Sequence, residues 1–219
     1  MKIRERVQKI VQEIPENVKL VAATKTRTIE EIKEVIDAGV EILGENYVQE
    51  AEGKILEIGK AIQWHMVGHL QTNKADKAVD IFDMVETVDS IRLANRLNRT
   101  ASEKKIVYPV LIEINSGKEE KKAGVFPEEA ESLIRNISKL SHIRIEGLMT
   151  MGPFLEKVEE IKPFFRLTKE IFDYIKSISI PNVEMKYLSM GMSDTWRIAI
   201  EEGANLIRLG TVIFGPRKI

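Results

Sequence analysis

The chain contains no cysteine, which excludes disulfides, thiol nucleophiles and thiolate metal sites. It also lacks an excess of either charge, since 33 basic residues stand against 34 acidic ones. Nucleic-acid and membrane-surface binders usually carry a basic excess, so this balance argues against both classes. No apolar run reaches the length of a membrane span, and the amino terminus has no signal-peptide core. The composition therefore predicts a soluble, cytoplasmic protein that binds neither nucleic acid nor membrane.

Short apolar runs alternate with longer amphipathic segments along all 219 residues. The pattern predicts a first helix near residues 2–13, followed by eight strands. The strands are expected near residues 18–24, 40–46, 62–68, 83–88, 107–115, 144–151, 185–190 and 205–210. Because helix-length segments separate consecutive strands, neighbouring strands should pair in parallel.

Eight such units predict an α/β fold, a closed (β/α)₈ TIM barrel with an extra N-terminal helix, in one domain over residues 1–219. A doubly wound open sheet is the alternative fold. It is less favoured because no Gly-x-Gly-x-x-Gly phosphate turn follows the first strand.

Lys25 stands at the end of the first predicted strand, after a run of small residues. An amine carried out of a core strand would be partly desolvated, which disfavours its charged form. A neutral lysine amine is what forming a Schiff base with an aldehyde or ketone requires. The alternative is a solvated lysine that merely ends a strand.

The last two predicted strands end in small and hydroxyl-bearing residues. Ser189–Asp194 leads directly into a predicted helix, and Gly210 and Thr211 leave the final strand. TIM barrels often bind phosphate with these two loops, where glycines such as Gly191 let the backbone approach the anion. The two loops are therefore a candidate phosphate site.

Simpler interpretations stay open at these strand ends. Ser193 or Asp194 could cap the following helix, and Gly210 could make an ordinary turn. His65, in the third strand, could be a core histidine whose ring bonds a backbone carbonyl.

A Schiff-base lysine on strand one, facing a phosphate loop on strands seven and eight, is the layout that pyridoxal 5′-phosphate requires. The pyridine nitrogen of this cofactor also needs a partner, and Arg208 in strand eight is the candidate. An arginine cannot accept the pyridinium proton, so the ring would be a weaker electron sink. The alternative for Arg208 is a surface ion pair.

Five segments span essentially the whole chain in order: Val21–Lys25, Gly44–Glu50, Trp64–Lys74, Leu188–Asp194 and Arg208–Gly215. Together they resemble one known family, the YggS/PROSC family of pyridoxal phosphate homeostasis proteins. The resemblance implies a barrel like the N-terminal domain of alanine racemase, of fold type III.

By this likeness, Lys25 holds pyridoxal 5′-phosphate as a Schiff base. Ser189, Gly210 and Thr211 would contact the phosphate, together with the loop at Gly191. Arg208 would meet the ring nitrogen, and Asn46 would line the pocket. No His, Asp or Glu set shows metal-ligand spacing, so we expect no metal.

The family likeness implies a role in pyridoxal phosphate (vitamin B6) and amino-acid homeostasis, with apo forms of cofactor-dependent enzymes as recipients. A monomer or weak homodimer is expected. Alanine racemase adds a β-domain and a tyrosine base supplied across a dimer, whereas this chain stops after its eighth strand. We therefore expect cofactor binding without efficient catalysis. The alternatives are a weak pyridoxal phosphate-dependent amino-acid racemase and a cofactor-free, aldolase-type Schiff-base barrel.

Overall fold

Eight parallel strands close into a barrel in the computed structural model, which describes residues 2–216 of the chain. The strands are β1 (Lys19–Ala23), β2 (Ile42–Glu45), β3 (Gln63–Met66), β4 (Met84–Val88), β5 (Tyr108–Glu113), β6 (Ile143–Met149), β7 (Val183–Ser189) and β8 (Leu206–Leu209). Each strand pairs with its neighbour in sequence, and β8 returns to pair with β1. The predicted TIM barrel is confirmed, and the open doubly wound sheet is wrong.

Helices connect the strands on the outside of the barrel. They are α1 (Ile3–Glu13), α2 (Ile29–Asp37), α3 (Val48–Ile58), α4 (Ala75–Ile81), α5 (Ile91–Glu103), α6 (Ala130–Ile137), α7 (Lys162–Ser177), α8 (Trp196–Glu201) and α9 (Thr211–Phe214). The extra N-terminal helix is α1, as predicted. Met1 and residues 217–219, the ends of the predicted domain, lie outside the described residues. None of the helices described here combines the length and apolar character that crossing a membrane requires.

Local sequence signals account for the ends of these elements. Thr28 and Glu31 form a capping box at the start of α2, because each side chain accepts a hydrogen bond from the other residue's backbone amide. Gly39, with φ of +96°, ends the same helix in the left-handed conformation that glycine tolerates best.

Two apolar layers hold the barrel together. The larger layer lies between the outer face of the strands and the helices. The smaller fills the interior with one side chain from most strands, namely Val21, Ile42, Val67, Met84, Leu111, Met149 and Leu206. Because side chains alternate along a strand, residues two positions from these also face the interior. That alternation decides which polar groups lie beneath the carboxyl end of the barrel.

Candidate functional site

Polar side chains form a layer above the apolar interior of the barrel. Glu86, Glu113, Ser189 and Arg208 each stand two residues beyond an interior position of their strand, and His65 stands two residues before Val67. All five are buried. A TIM barrel collects its functional residues at this end, so the layer is the natural floor of a site.

Arg208 is the centre of this floor. Its guanidinium donates to Ser189 Oγ at 2.5 Å and to the carbonyl oxygen of Thr150 at 2.9 Å. A third contact reaches Met151 Sδ at 3.4 Å. The side chain is 4% exposed, so the alternative of a surface ion pair is wrong. Arg208 and Ser189, both predicted site residues, lie in direct contact.

Glu86 balances the charge of Arg208. Its Oε2 accepts from Ser189 Oγ at 2.5 Å and lies 3.9 Å from the guanidinium, and its Oε1 lies 2.7 Å from His65 Nδ1. Burial acts to raise the pKa of Glu86. The bond to His65 and the charges of His65 and Arg208 outweigh it, so the pKa lies below its ordinary value. His65 is thus a core histidine, but its ring bonds a carboxylate rather than a backbone carbonyl.

Lys25 lies at the rim, two residues past the end of β1, and is half-buried. Its Nζ donates to Tyr47 Oη at 3.3 Å and lies 4.7 Å from the centre of the Tyr47 ring. Within residues 2–216, no carboxylate oxygen lies within 4.0 Å of this amine. Ala23 and Gly44 are register partners on β1 and β2, so Lys25 and Asn46 each follow that pair by two residues.

The two loops of the predicted phosphate site meet around Ser193. The backbone amides of Gly210 and Val212 donate to Ser193 Oγ at 3.4 and 3.2 Å. Gly191 accepts at its carbonyl oxygen from the Arg208 amide at 3.0 Å. Thr211 is exposed beside them, as the first residue of α9. The loops therefore present amides and hydroxyls next to the rim that carries Lys25.

The alternative of a simple helix cap fails for this loop. Thr195, not Ser193 or Asp194, immediately precedes α8, and its Oγ accepts from the Met192 amide at 3.0 Å. The loop backbone at Gly191 packs closely against α8. A side chain could not be accommodated there, since a Cβ at this position would lie 2.5 Å from the Cβ of Ala199.

Two cavities of about 330 and 340 Å³ open at this end of the barrel. Asn46, Gly68 and His69 line both of them. Tyr47, the partner of Lys25, lines the second cavity. Asn46 therefore lies on the wall of both cavities, and its predicted place in a cofactor pocket stays a prediction.

The fold brings the predicted residues to one end of the barrel as two groups. Ser189 and Gly191 each contact Arg208 in or beside the floor, and Lys25, Asn46, Gly210 and Thr211 lie around the rim. Their roles toward a ligand stay predictions.

Sequence reasoning did not single out Glu86 or Glu113, assigned no role to Tyr47, and left Ser193 as a possible helix cap. The signal that could have found Glu86 and Glu113 is the two-residue spacing from an apolar interior residue on the same strand.

The chain is similar to proteins of known family over almost its whole length. The family model "Alanine racemase, N-terminal domain" matches residues 1–218. The pyridoxal phosphate homeostasis protein of Aquifex aeolicus is 38% identical over 99% of this chain and 96% of its own length. The protein of the same name from Escherichia coli K12 is 36% identical over 93% of this chain and 87% of its own.

Solved structures agree with these matches. PipY of Synechococcus elongatus PCC7942, solved with pyridoxal phosphate bound, has a TM-score of 0.90 and 35% identity, covering 98% of this chain and 100% of PipY. Alanine racemase of Clostridium difficile 630 shares the fold, with a TM-score of 0.81 and 17% identity over 100% of this chain and 57% of the racemase. The chain belongs to the family of pyridoxal phosphate homeostasis proteins, built on the alanine racemase N-terminal domain.

Proposed function

We propose that this chain binds pyridoxal 5′-phosphate through Lys25 and serves in the homeostasis of that cofactor. The relatives named above support the proposal, as does the cofactor bound by PipY. The structural observation that carries it is the order of β8, β1 and β2 around the barrel. These adjacent strands present, in turn, an amide-lined loop, a lysine amine and an asparagine.

The residues present fit the chemistry of the cofactor. Ser193 Oγ accepts from the backbone amides of Gly210 and Val212, and a loop that gathers hydroxyls and amides in this way suits a phosphate group. The Lys25 amine has no carboxylate within 4.0 Å in the described part of the chain to hold it as an ion pair. The Arg208 guanidinium, held by Ser189 and Glu86, presents a fixed positive charge from the floor.

Each predicted residue takes one role in this proposal. Pyridoxal phosphate supplies an aldehyde that condenses reversibly with a primary amine, and Lys25 is that amine. Gly210, Thr211 and Ser193 hold the phosphate. Asn46 lines the wall beside the ring. Ser189, which the family likeness assigns to the phosphate, instead holds the Arg208 side chain in place, and Gly191 holds the Arg208 backbone.

Arg208 favours binding over turnover. A guanidinium carries hydrogen-bond donors only, so it leaves the ring nitrogen of the cofactor unprotonated. The buried Glu86 fixes the positive charge in place, since it reaches Arg208 directly and through Ser189. A weaker electron sink suits a protein that stores and releases the cofactor, with apo forms of cofactor-dependent enzymes as the recipients.

The proposal is tested by titrating the apo-protein with pyridoxal phosphate and recording the visible absorbance of the bound form. We expect the band in the wild type and in Lys74→Ala, whose lysine lines the second cavity. Lys25→Ala should lose the band. An unchanged band in Lys25→Ala would remove Lys25 from the proposal.

Storage is distinguished from racemisation by two measurements on the holo-protein. Incubation with each L-amino acid should yield no D-enantiomer at enzymatic rates. An apo-enzyme mixed with the holo-protein should regain activity faster than one separated from it by a dialysis membrane. Steady production of D-amino acid would replace storage with racemisation.

A further inference from the structure

A second group at this end of the barrel has no role in holding the cofactor. Glu113, the last residue of β5, lines the 330 Å³ cavity and is 7% exposed. Among the described residues, its Oε2 has no hydrogen-bond partner. A buried carboxyl oxygen without a partner is costly, so a ligand that donates a hydrogen bond would be favoured there.

Two other polar side chains on the cavity wall, those of Asn115 and Ser116, are already engaged. The Asn115 side-chain amide donates to the Glu119 and Lys122 carbonyl oxygens, and its oxygen accepts from the Glu119 amide. Ser116 Oγ lies 3.0 Å from Thr150 Oγ. Glu113 is the one carboxylate among the described residues that line this cavity, and its Oε2 is open to a ligand.

The charges around the cavity favour a cation. Arg208 lies near Glu113, but Glu86 already balances its charge. Lys122, also on the wall, pairs with Glu119 at 2.5 Å. His69 on the same wall lies 3.8 Å from Asp89, a carboxylate that also acts on Glu113.

The remainder of the wall is apolar. Val67, Ile114, Met151, Pro153, Phe154 and Met192 line it. A ligand that fills this space must present an aliphatic body together with its donor. Asn46, proposed above to lie beside the cofactor ring, lines the same cavity, so the occupant would lie next to the cofactor.

We propose that this cavity is a subsite for a small primary amine with an apolar body, such as an aliphatic amino acid, and that Glu113 binds its ammonium group. This inference rests on the proposed function, because the amine would wait beside the cofactor that Lys25 holds. The inference adds a second class of ligand, small amines, which the protein would bind in addition to pyridoxal phosphate.

The test measures how tightly a small amine binds when it cannot displace Lys25 from the cofactor. Holo-protein is treated with borohydride, which fixes the cofactor to its lysine, and is titrated by calorimetry at about pH 8.5 with isobutylamine and with isobutanol. The wild type should bind the ammonium at least tenfold more tightly than the alcohol, as expected for a charge-assisted hydrogen bond. Glu113→Gln should abolish that preference while keeping the cofactor absorbance.

Glu120→Gln is the matched control, because it removes the same charge from an exposed position in the loop after β5. It should behave as the wild type does. Equal affinity for amine and alcohol in the wild type would overturn the subsite, as would a preference that survives in Glu113→Gln. A wild type without cofactor absorbance would instead overturn the proposed function, so the two failures are distinguishable.

Discussion

Glu113 is a buried residue whose ionisation in the folded protein differs from its ordinary state. Burial, together with the nearby charge of Asp89, raises its pKa from 4.5 to about 7, while Arg208 acts in the opposite direction. Between about pH 4.5 and pH 7, the folded protein therefore keeps a proton on Glu113, whereas the unfolded chain releases it. Because the folded state binds more protons, stability falls as the pH rises through this window, and the loss ends above about pH 7.

Replacing Glu113 by Gln should remove this dependence. A shift of this size corresponds to at most about 3 kcal/mol. Urea unfolding at about pH 5 and pH 8.5 should show Glu113→Gln gaining roughly 2 kcal/mol relative to the wild type at the higher pH. An equal difference between the two proteins at both pH values would show that Glu113 ionises normally.

Ser193 is the second residue on which the account depends. Its hydroxyl accepts from the amides of Gly210 and Val212, and it would bind the phosphate in the same loop. We expect Ser193→Ala to weaken pyridoxal phosphate binding about tenfold, the value of one charge-assisted hydrogen bond. The absorbance of the bound form should keep its shape.

Equilibrium titration of Ser193→Ala checks this expectation, with Asp194→Asn as the control from the same loop. Asp194 is exposed, so its variant should match the wild type. Wild-type affinity in Ser193→Ala would move the phosphate away from this loop.

At the scale of elements, Lys54 of α3 ties the Lys25 loop to β2. Its Nζ donates to the Thr24 carbonyl oxygen and to Glu45 Oε1, both at 2.6 Å, and to Glu50 Oε1 at 2.7 Å. Glu50 also accepts from the Thr26 amide, which lies in a loop position with φ of +64°. Burial raises the pKa of Glu45, although the bonds from Lys54 and Thr24 oppose that effect.

Lys54→Met should therefore be strongly destabilising, because it leaves the fully buried Glu45 without its counter-ion. We expect a loss of about 3 kcal/mol in the free energy of unfolding. Lys77→Met breaks an ion pair with Glu52 that lies in solvent, so it should change stability little. Chemical denaturation of both variants makes the comparison. Equal, small losses would show that the buried network does not hold the loop.

The elements themselves could be predicted from the sequence more completely than the contacts between side chains. Alternation of apolar runs and amphipathic segments gave eight parallel strands, and Thr28 and Gly39 marked both ends of α2. Lys25 and Arg208 were predicted as site residues because strand ends meet at one end of a barrel, whereas Asn46 was predicted from the family likeness.

The partners of these groups could not be predicted in the same way. Glu86 and Ser189 are 103 positions apart in sequence yet share a hydrogen bond, and only the closure of the barrel brings them together. Ser193 looked like a helix cap because Ser is common at that position, whereas Thr195 is the residue that immediately precedes α8. Long-range pairing is set by the register of the whole barrel, which local patterns do not encode.

At the scale of the whole molecule, closure places β1 between β8 and β2. The candidate phosphate loop after β8, the lysine after β1 and the asparagine after β2 therefore lie side by side. The loop is nevertheless far from the other two in sequence, because β8 is the last strand of the chain and β1 the first. The charged floor beneath them is internally balanced, since Glu86 faces Arg208. The molecule thus presents a rigid barrel end on which a reactive aldehyde could be held and released.

The central claim is that Lys25 is the attachment point, and one measurement tests it most directly. Holo-protein is reduced with borohydride, digested, and mapped by mass spectrometry for the lysine that carries the cofactor. We expect modification of the peptide that contains Lys25. Modification of another lysine instead, such as Lys74 in the second cavity, would contradict it.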